Sequence, residues 1–326
     1  MGGQASASII EPLSRIDRVA GRGIRERDRK VRAAERSRPN RAEAEAHELL
    51  IARLTEAHQV PFKPIDWAEI LADGPVAPTI ARDATSAAAR RKLAEYRPSL
   101  MDSILGRERE RRRELMEKVI EAAKVDAALW ARAVAEADSR NRVLRLAPDV
   151  KALQVEAIAG VLKATGVPAA LGDVVEAISL HAVGPERLVV RIDLLEYDSL
   201  PDSPGKAGTT AAPIPDAERW ELQLANACSV ALRAAAEVLQ VAPVETVEVV
   251  ARICPPGGLA DTDMEWVLYV KVPAATLARK RKDKVEAAAM VADLGPRLNW
   301  TSARGFRRIE IDDLGLSALA PARAAA

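Results

Sequence analysis

The stretch that decides the fold is Val174–Tyr197, VVEAISLHAVGPERLVVRIDLLEY. Two β-rich runs, Val174 to Ala182 and Arg187 to Tyr197, are joined by Gly184, Pro185 and Glu186, which is a hairpin signal. In the second run Leu188, Val190, Ile192 and Leu194 alternate with Val189, Arg191 and Asp193. A strand sends successive side chains to opposite faces, so the two sets belong to two sides of a sheet.

Toward the C-terminus, Ser199 to Pro215 is rich in Pro, Ser, Gly and Thr and reads as a flexible loop. Glu218 to Gln240 follows as a strongly apolar helix carrying Leu222, Ala225, Cys228, Ser229, Leu232 and Val238, the helix expected against the sheet. Thr246 to Cys254 and Trp266 to Val272 are two further strands around a turn with Pro255, Pro256, Gly257 and Gly258. Ala274 to Leu294 reads as helix, Phe306 to Ile311 as a last strand, and the Ala-rich end from Ser317 as a disordered tail. The expected class is α+β, with a ββαββαβ order, a mostly antiparallel sheet and helices packed on it.

Toward the N-terminus the character is helical. Val150 to Thr165 ends at Gly166. Arg107 to Leu146 holds neither Pro nor Gly, which predicts one helix of about ten turns. Its first part sets opposite charges at helical spacings, as in Glu108 and Arg112, and its second part is Ala-rich. A helix this long pairs with another, so the expectation is a coiled-coil-like antiparallel hairpin or a dimer. Upstream, Ala87 to Tyr96 and a short segment from Ser99 are helical, and Asp66, Glu69 and Gly74 bracket a short helix around Trp67, Ile70 and Leu71. Another helix, opened by Asn40 and Glu43, carries Leu49, Leu50, Leu54 and His58. The domains read as a basic, frayed or disordered arm at 1–41, a helical domain at 42–148, an α+β domain at 149–314 and a tail at 315–326.

Charge is segregated along the 326 residues. The whole chain carries 48 Lys plus Arg against 47 Asp plus Glu, yet Arg15 to Arg41 holds eleven basic residues and four acids, about seven net positive charges. The remainder is mildly acidic. No run of about 18 apolar residues is present, which removes a membrane span from the expectations. The first residues lack a basic-then-apolar leader pattern, so the cytoplasm is the expected compartment. Two cysteines, Cys228 and Cys254, and three histidines, His47, His58 and His181, offer little for disulfides, metal or acid–base chemistry.

Several segments resemble an uncharacterised family of bacterial proteins. They are PIDWAEI, YRPSLMDSILGRERERRRELMEKVIEAAKVD, NACSVALRAAAEVL, VETVEVVARI, WVLYVKVPAATL and NWTSARGFRRIEI, in that order, between about Ala44 and Asp312. The resemblance implies a helical half followed by an α+β half and a bacterial source, and it carries no known activity. Where the family has an Asn-Phe and an Asp-Pro after the last strand pair, this chain has RKRKDKVEAAAM.

Three sets of residues carry candidate chemistry. The acids Asp193, Glu196 and Glu248 (with Asp198 beside them) are the material for a Mg²⁺-dependent nuclease, whose carboxylates must converge on the ion. The alternative is solvated strand-end acids, and no Glu-x-Lys follows on the next strand. Arg22, Arg25, Arg29, Lys30 and Arg32 of the arm, with Arg279, Lys280, Arg281 and Lys282, could follow phosphate backbones. The alternative for both is a solvated basic face, and few aromatics interleave them for base stacking. Cys228 reads as a small core residue, and a pairing of Cys254 with His181 is the one conceivable nucleophile pair. No cofactor or metal is expected. The leading expectation is an interaction or scaffold protein that holds a protein partner, or a second copy, through its helical half. The other is a nucleic-acid-associated protein.

Overall fold

The structure is a computed structural model; it describes residues 6–10, 41–98, 106–184, 186–201, 214–256, 258, 263–279, 286–316 and 319. In chain order the elements are β1 (Ser6–Ile10), α1 (Arg41–Glu56), α2 (Trp67–Asp73), α3 (Ala84–Glu95), α4 (Glu108–Lys151), α5 (Val155–Ala164) and α6 (Val167–Leu171). They continue as β2 (Val175–Ala182), β3 (Leu188–Leu194), α7 (Asp216–Val241), β4 (Thr246–Ile253), β5 (Glu265–Pro273), α8 (Ala274–Ala278), α9 (Ala287–Ala292), β6 (Arg297–Leu298), β7 (Trp300–Thr301) and β8 (Gly305–Phe306). The chain divides into two compact units, Met1–Ile65 with Pro148–Ala326, and Asp66–Ala147.

The larger unit is built on a six-stranded sheet in the order β1-β2-β3-β4-β5-β6. Every neighbouring pair is antiparallel except β3 and β4, which run parallel with α7 as the crossover between them. Leu188, Val190, Ile192 and Leu194 of β3 and Val247, Val249 and Ala251 of β4 are buried, and α7 packs on these strands with Ala227, Val230, Ala231 and Ala235 wholly enclosed. Small alanines at the contact let a helix approach a sheet closely.

The opposite set of side chains is covered too, by the end of the chain. Val189, Val250, Trp266 and Tyr269 form a second core with Ile309, Ile311, Leu316 and Leu319. The Ile309 N–H donates to the Trp266 carbonyl at 2.8 Å, which pins this segment to β5. The sheet is therefore buried on both sides, by helices on one and by an irregular strap on the other. The expected tail beginning at 315 is corrected here, because Leu316 and Leu319 lie in the core.

Four further expectations are revised. Residues 6–10, read as part of a basic arm, are the edge strand β1, paired antiparallel with β2 from Ser6↔His181 to Ile10↔Ile178; the rest of that arm lies outside the described residues. Helix α1 belongs to the sheet-containing unit, not to a helical domain starting at 42. Asn226 of α7 donates to the Leu54 and Val174 carbonyls, Arg233 donates to the Ala57 carbonyl, and the Ile65 N–H donates to the Gln240 carbonyl. The single helix expected from Ala274 to Leu294 is two short ones, α8 and α9, on either side of an undescribed stretch. The strand expected from Phe306 to Ile311 is reduced to β8 and an extended strap, since only Gly305–Phe306 has a ladder partner, in β7.

The smaller unit holds α2, α3 and most of α4. Asp66 caps α2 by accepting from the Ala68 and Glu69 N–H groups, and Gly74 ends it at φ 67°. Helix α4 has 44 residues, about 66 Å of length, and passes through Pro148 before stopping at Lys151. Proline removes one helical hydrogen bond, yet Ala147 and Val150 on either side of it are fully buried, and that burial carries the helix through. No antiparallel hairpin of two long helices forms in this unit among the described residues, because α3 has only 12 residues.

Candidate functional site

Asp193 and Glu248 lie on the strap-covered side of the sheet, on adjacent parallel strands. The register places Asp193 opposite Arg252 and Glu248 opposite Val189. Four residues of strand, about 13 Å, therefore separate the two acids along the sheet. Each is already held by a guanidinium. Arg252 donates to both Asp193 oxygens, from Nε at 2.9 Å and from an Nη at 2.8 Å, and both residues are buried. Arg187 donates to both Glu248 oxygens at 2.9 and 2.6 Å, and Lys271 adds a second cation at 3.4 Å. Burial alone would raise the Glu248 pKa, but the Arg187 hydrogen bonds and charge, joined by Lys271, hold it below the usual carboxylate range.

Glu196 lies past the end of β3, where its carbonyl accepts from the Ser199 N–H at 2.9 Å in the turn Tyr197–Ser199. The three acids do not converge. Among the described residues no group of three His, Cys, Asp or Glu is placed to hold a metal ion. A divalent cation at Asp193 would also displace Arg252 and strand its charge in the core. The nuclease geometry expected from these acids is thus replaced by two bidentate ion pairs, Asp193–Arg252 buried and Glu248–Arg187 partly buried.

Around the Asp193–Arg252 pair the sheet carries a polar row. Arg191 Nε is buried without a hydrogen-bond partner, 3.9 Å from the Asp193 carboxylate, while an Arg191 Nη donates to the Leu319 carbonyl at 3.4 Å. His181 Nε2 and Ser179 Oγ share a hydrogen bond at 2.8 Å. Desolvation, then the charges of Arg191 and Arg252, lower the His181 pKa to about 4 against the opposing pull of Asp193. His181 is therefore a neutral ring at pH 7. The pairing of His181 with Cys254 is not formed, since the Cys254 thiol makes its contact with the Pro255 carbonyl at 3.6 Å. Cys228 is a core residue, and burial pushes its thiol up to about 12.

Of the basic candidates, Arg279 ends α8 as an exposed residue. Arg22, Arg25, Arg29, Lys30, Arg32, Lys280, Arg281 and Lys282 lie outside the described residues.

The surface with the clearest unmet chemistry is on α4. One stripe of this helix is packed: Asp126, Ala133 and Ala137 are buried there. Asp126 accepts from the Ser86 N–H at 2.7 Å and the Thr85 N–H at 3.1 Å, and so caps α3 from the side of α4. The Ser86 and Thr85 hydrogen bonds, led by the Ser86 backbone N–H, bring the Asp126 pKa to about 2. Arg82 stacks over the Trp130 ring at 4.4 Å. On one flank of the stripe Met116 and Ile120 are each 51% exposed; on the other Val125 and Leu129 are each 44% exposed. At about 100° per residue the two pairs point in nearly opposite directions. Between them run ion pairs of alternating sign, Glu108–Arg112, Arg113–Glu117, Glu121–Lys124 and Arg132–Glu136.

No protein-family model, curated protein or solved structure matches the chain. No described helix is long and apolar enough to cross a membrane.

Proposed function

We propose that this is an interaction protein that self-associates through α4, with the sheet-containing unit as an attached recognition domain, and that it belongs to the bacterial family its segments resemble. The observation that carries the reading is the exposure of Met116, Ile120, Val125 and Leu129 on a helix whose partner in its own unit is short. Helix α3 spans about 18 Å of the roughly 66 Å of α4. Each flank carries one exposed apolar i, i+4 pair, enough for one helix–helix seam, and because the flanks face opposite ways a second copy covers one of them. The occupant we favour is a second copy of α4. Each copy offers the same exposed apolar pairs, so two copies related by a twofold axis meet with matching apolar strips.

Introducing a charge on each flank tests the assignment. Ile120→Glu with Leu129→Glu should leave the circular dichroism of the chain unchanged and shift its light-scattering mass to that of a monomer. A variant pair that keeps the wild-type mass would refute self-association through this helix.

Nucleic-acid association is the second reading, and it rests on the seven net positive charges of Arg15–Arg41. It would be salt-sensitive and indifferent to sequence. The divergent-nuclease form of that reading gains no support from Asp193 and Glu248, whose oxygens are engaged by arginine. Filter binding at low salt, with no retention of DNA or RNA, would remove it.

A further inference from the structure

A cavity of about 230 Å³ opens at the ends of α7, β4 and β5, in the larger unit. Its inner wall holds Gln223, which is 1% exposed, and neither the amide oxygen nor the amide nitrogen of Gln223 has a hydrogen-bond partner. A buried amide with both ends unmet is costly unless a ligand or water answers it. Gln223 comes from α7 one turn before Asn226, on the same side of the helix, and Asn226 is hydrogen-bonded to the Leu54 and Val174 carbonyls. The two buried amides therefore differ in kind: one ties the fold together, and the other lines the cavity without a partner.

The side walls are aromatic and firmly placed. Trp220 and Tyr197 are in contact with ring centroids 4.2 Å apart and planes tilted by 40°, and the Tyr197 hydroxyl donates to Asp216 at 2.5 Å. Gly305 closes on the other side of Trp220, so tightly that a Cβ there would lie 2.2 Å from the indole. Phe306 completes this wall. At the rim stand Arg304 and Arg307, both exposed and free of ion pairs among the described residues, with Glu265 nearby.

We propose that this cavity binds the base of a mononucleotide, with the phosphate at Arg304 and Arg307. At about 30 Å³ per water the space holds the equivalent of roughly eight waters, the scale of a single heteroaromatic base. A primary amide presents a donor beside an acceptor, which matches a donor–acceptor edge of any nucleobase in a bidentate pair. Aromatic walls suit a planar ligand, and two unpaired guanidiniums suit a phosphate. Glu265 is placed to accept from a ribose hydroxyl. This proposal is independent of self-association through α4.

The test is calorimetric titration of the full chain with each of the four 5′-ribonucleoside monophosphates, with inorganic phosphate and free glutamine as comparison probes. Saturable binding of a mononucleotide is expected, tighter than that of inorganic phosphate. Arg304→Glu with Arg307→Glu, both on the surface, should weaken it at least tenfold. Gln223→Met should abolish it while leaving the melting temperature equal to wild type or higher, since the variant removes two unmet polar atoms. A purely structural glutamine would instead lower the melting temperature. No saturable binding of any mononucleotide at millimolar concentration would overturn the proposal. So would binding unchanged in the arginine variant, or phosphate or glutamine binding as tightly as the nucleotide.

Discussion

Asp193→Ala removes the partner of a guanidinium that has almost no contact with water. The Arg252 side chain is 8% exposed, and both of its hydrogen bonds to Asp193 go with the carboxylate. Arg191, 3.9 Å from the same carboxylate, loses its nearest counter-charge as well. Breaking a buried pair from one side costs about 3–5 kcal/mol, because the surviving charge stays buried. Two guanidiniums are left facing each other, which puts this site in the upper part of that range. Removing both partners is a different perturbation. Asp193→Leu with Arg252→Met replaces the bidentate pair by apolar volume but still leaves Arg191 without its counter-charge, so it should cost less than Asp193→Ala without restoring wild-type stability. The assay is urea unfolding followed by circular dichroism, run as a double-mutant cycle. With a slope of about 2–3 kcal/mol/M, the single variant should move the midpoint down by more than about 1 M. An Asp193→Ala midpoint within error of wild type would refute the ion-pair account. Stabilisation of the wild type by Mg²⁺ that vanishes in Asp193→Ala would reinstate the acid as a metal ligand.

The neutral state of His181 gives the larger unit a pH dependence. With a folded pKa of about 4 against about 6.5 unfolded, its stability is complete above pH 6.5, declines as pH falls from 6.5 to 4, and levels off below. The ceiling is about 3 kcal/mol, and solvent screening of a ring that is not wholly enclosed lowers it to about 1–2 kcal/mol. His181→Gln should flatten this part of the stability–pH curve, and an unchanged curve would contradict the assignment. Gly305→Ala should displace Trp220, lower the melting temperature and shift tryptophan emission, because φ is 66° and the indole occupies the Cβ position. A variant with wild-type emission would show the contact to be loose. Asp126→Ala should uncap α3, seen as faster amide exchange at Thr85 and Ser86, whereas protection equal to wild type would assign the cap elsewhere.

The hairpin, the apolar helix and the two later strands were legible in the sequence because each carries its own period and its own turn residues. Asp66 and Gly74 were legible for the same local reason. What escaped is non-local. Ser6–Ile10 is five residues long, followed by a strongly basic run, and becomes a strand only because β2 has an open edge to pair with. Ile309 and Ile311 keep the two-residue spacing that suggested a strand, but Leu316 and Leu319 lie past it toward the Ala-rich end, so nothing local marks the four as the cover of a sheet. The acids were visible, but their arginine partners depend on the parallel register of β3 and β4, which exists only after α7 crosses between them. Gln223 did leave a trace, as a polar residue one turn from Asn226 on the face of α7 that also carries Ala227 and Val230.

The central claim, self-association through α4, is tested most directly by sedimentation equilibrium of the unmodified chain across a hundredfold range of concentration. The chain mass is 35.1 kDa. Self-association predicts a mass that climbs with concentration toward twice that value, and a mass of 35.1 kDa throughout would contradict it.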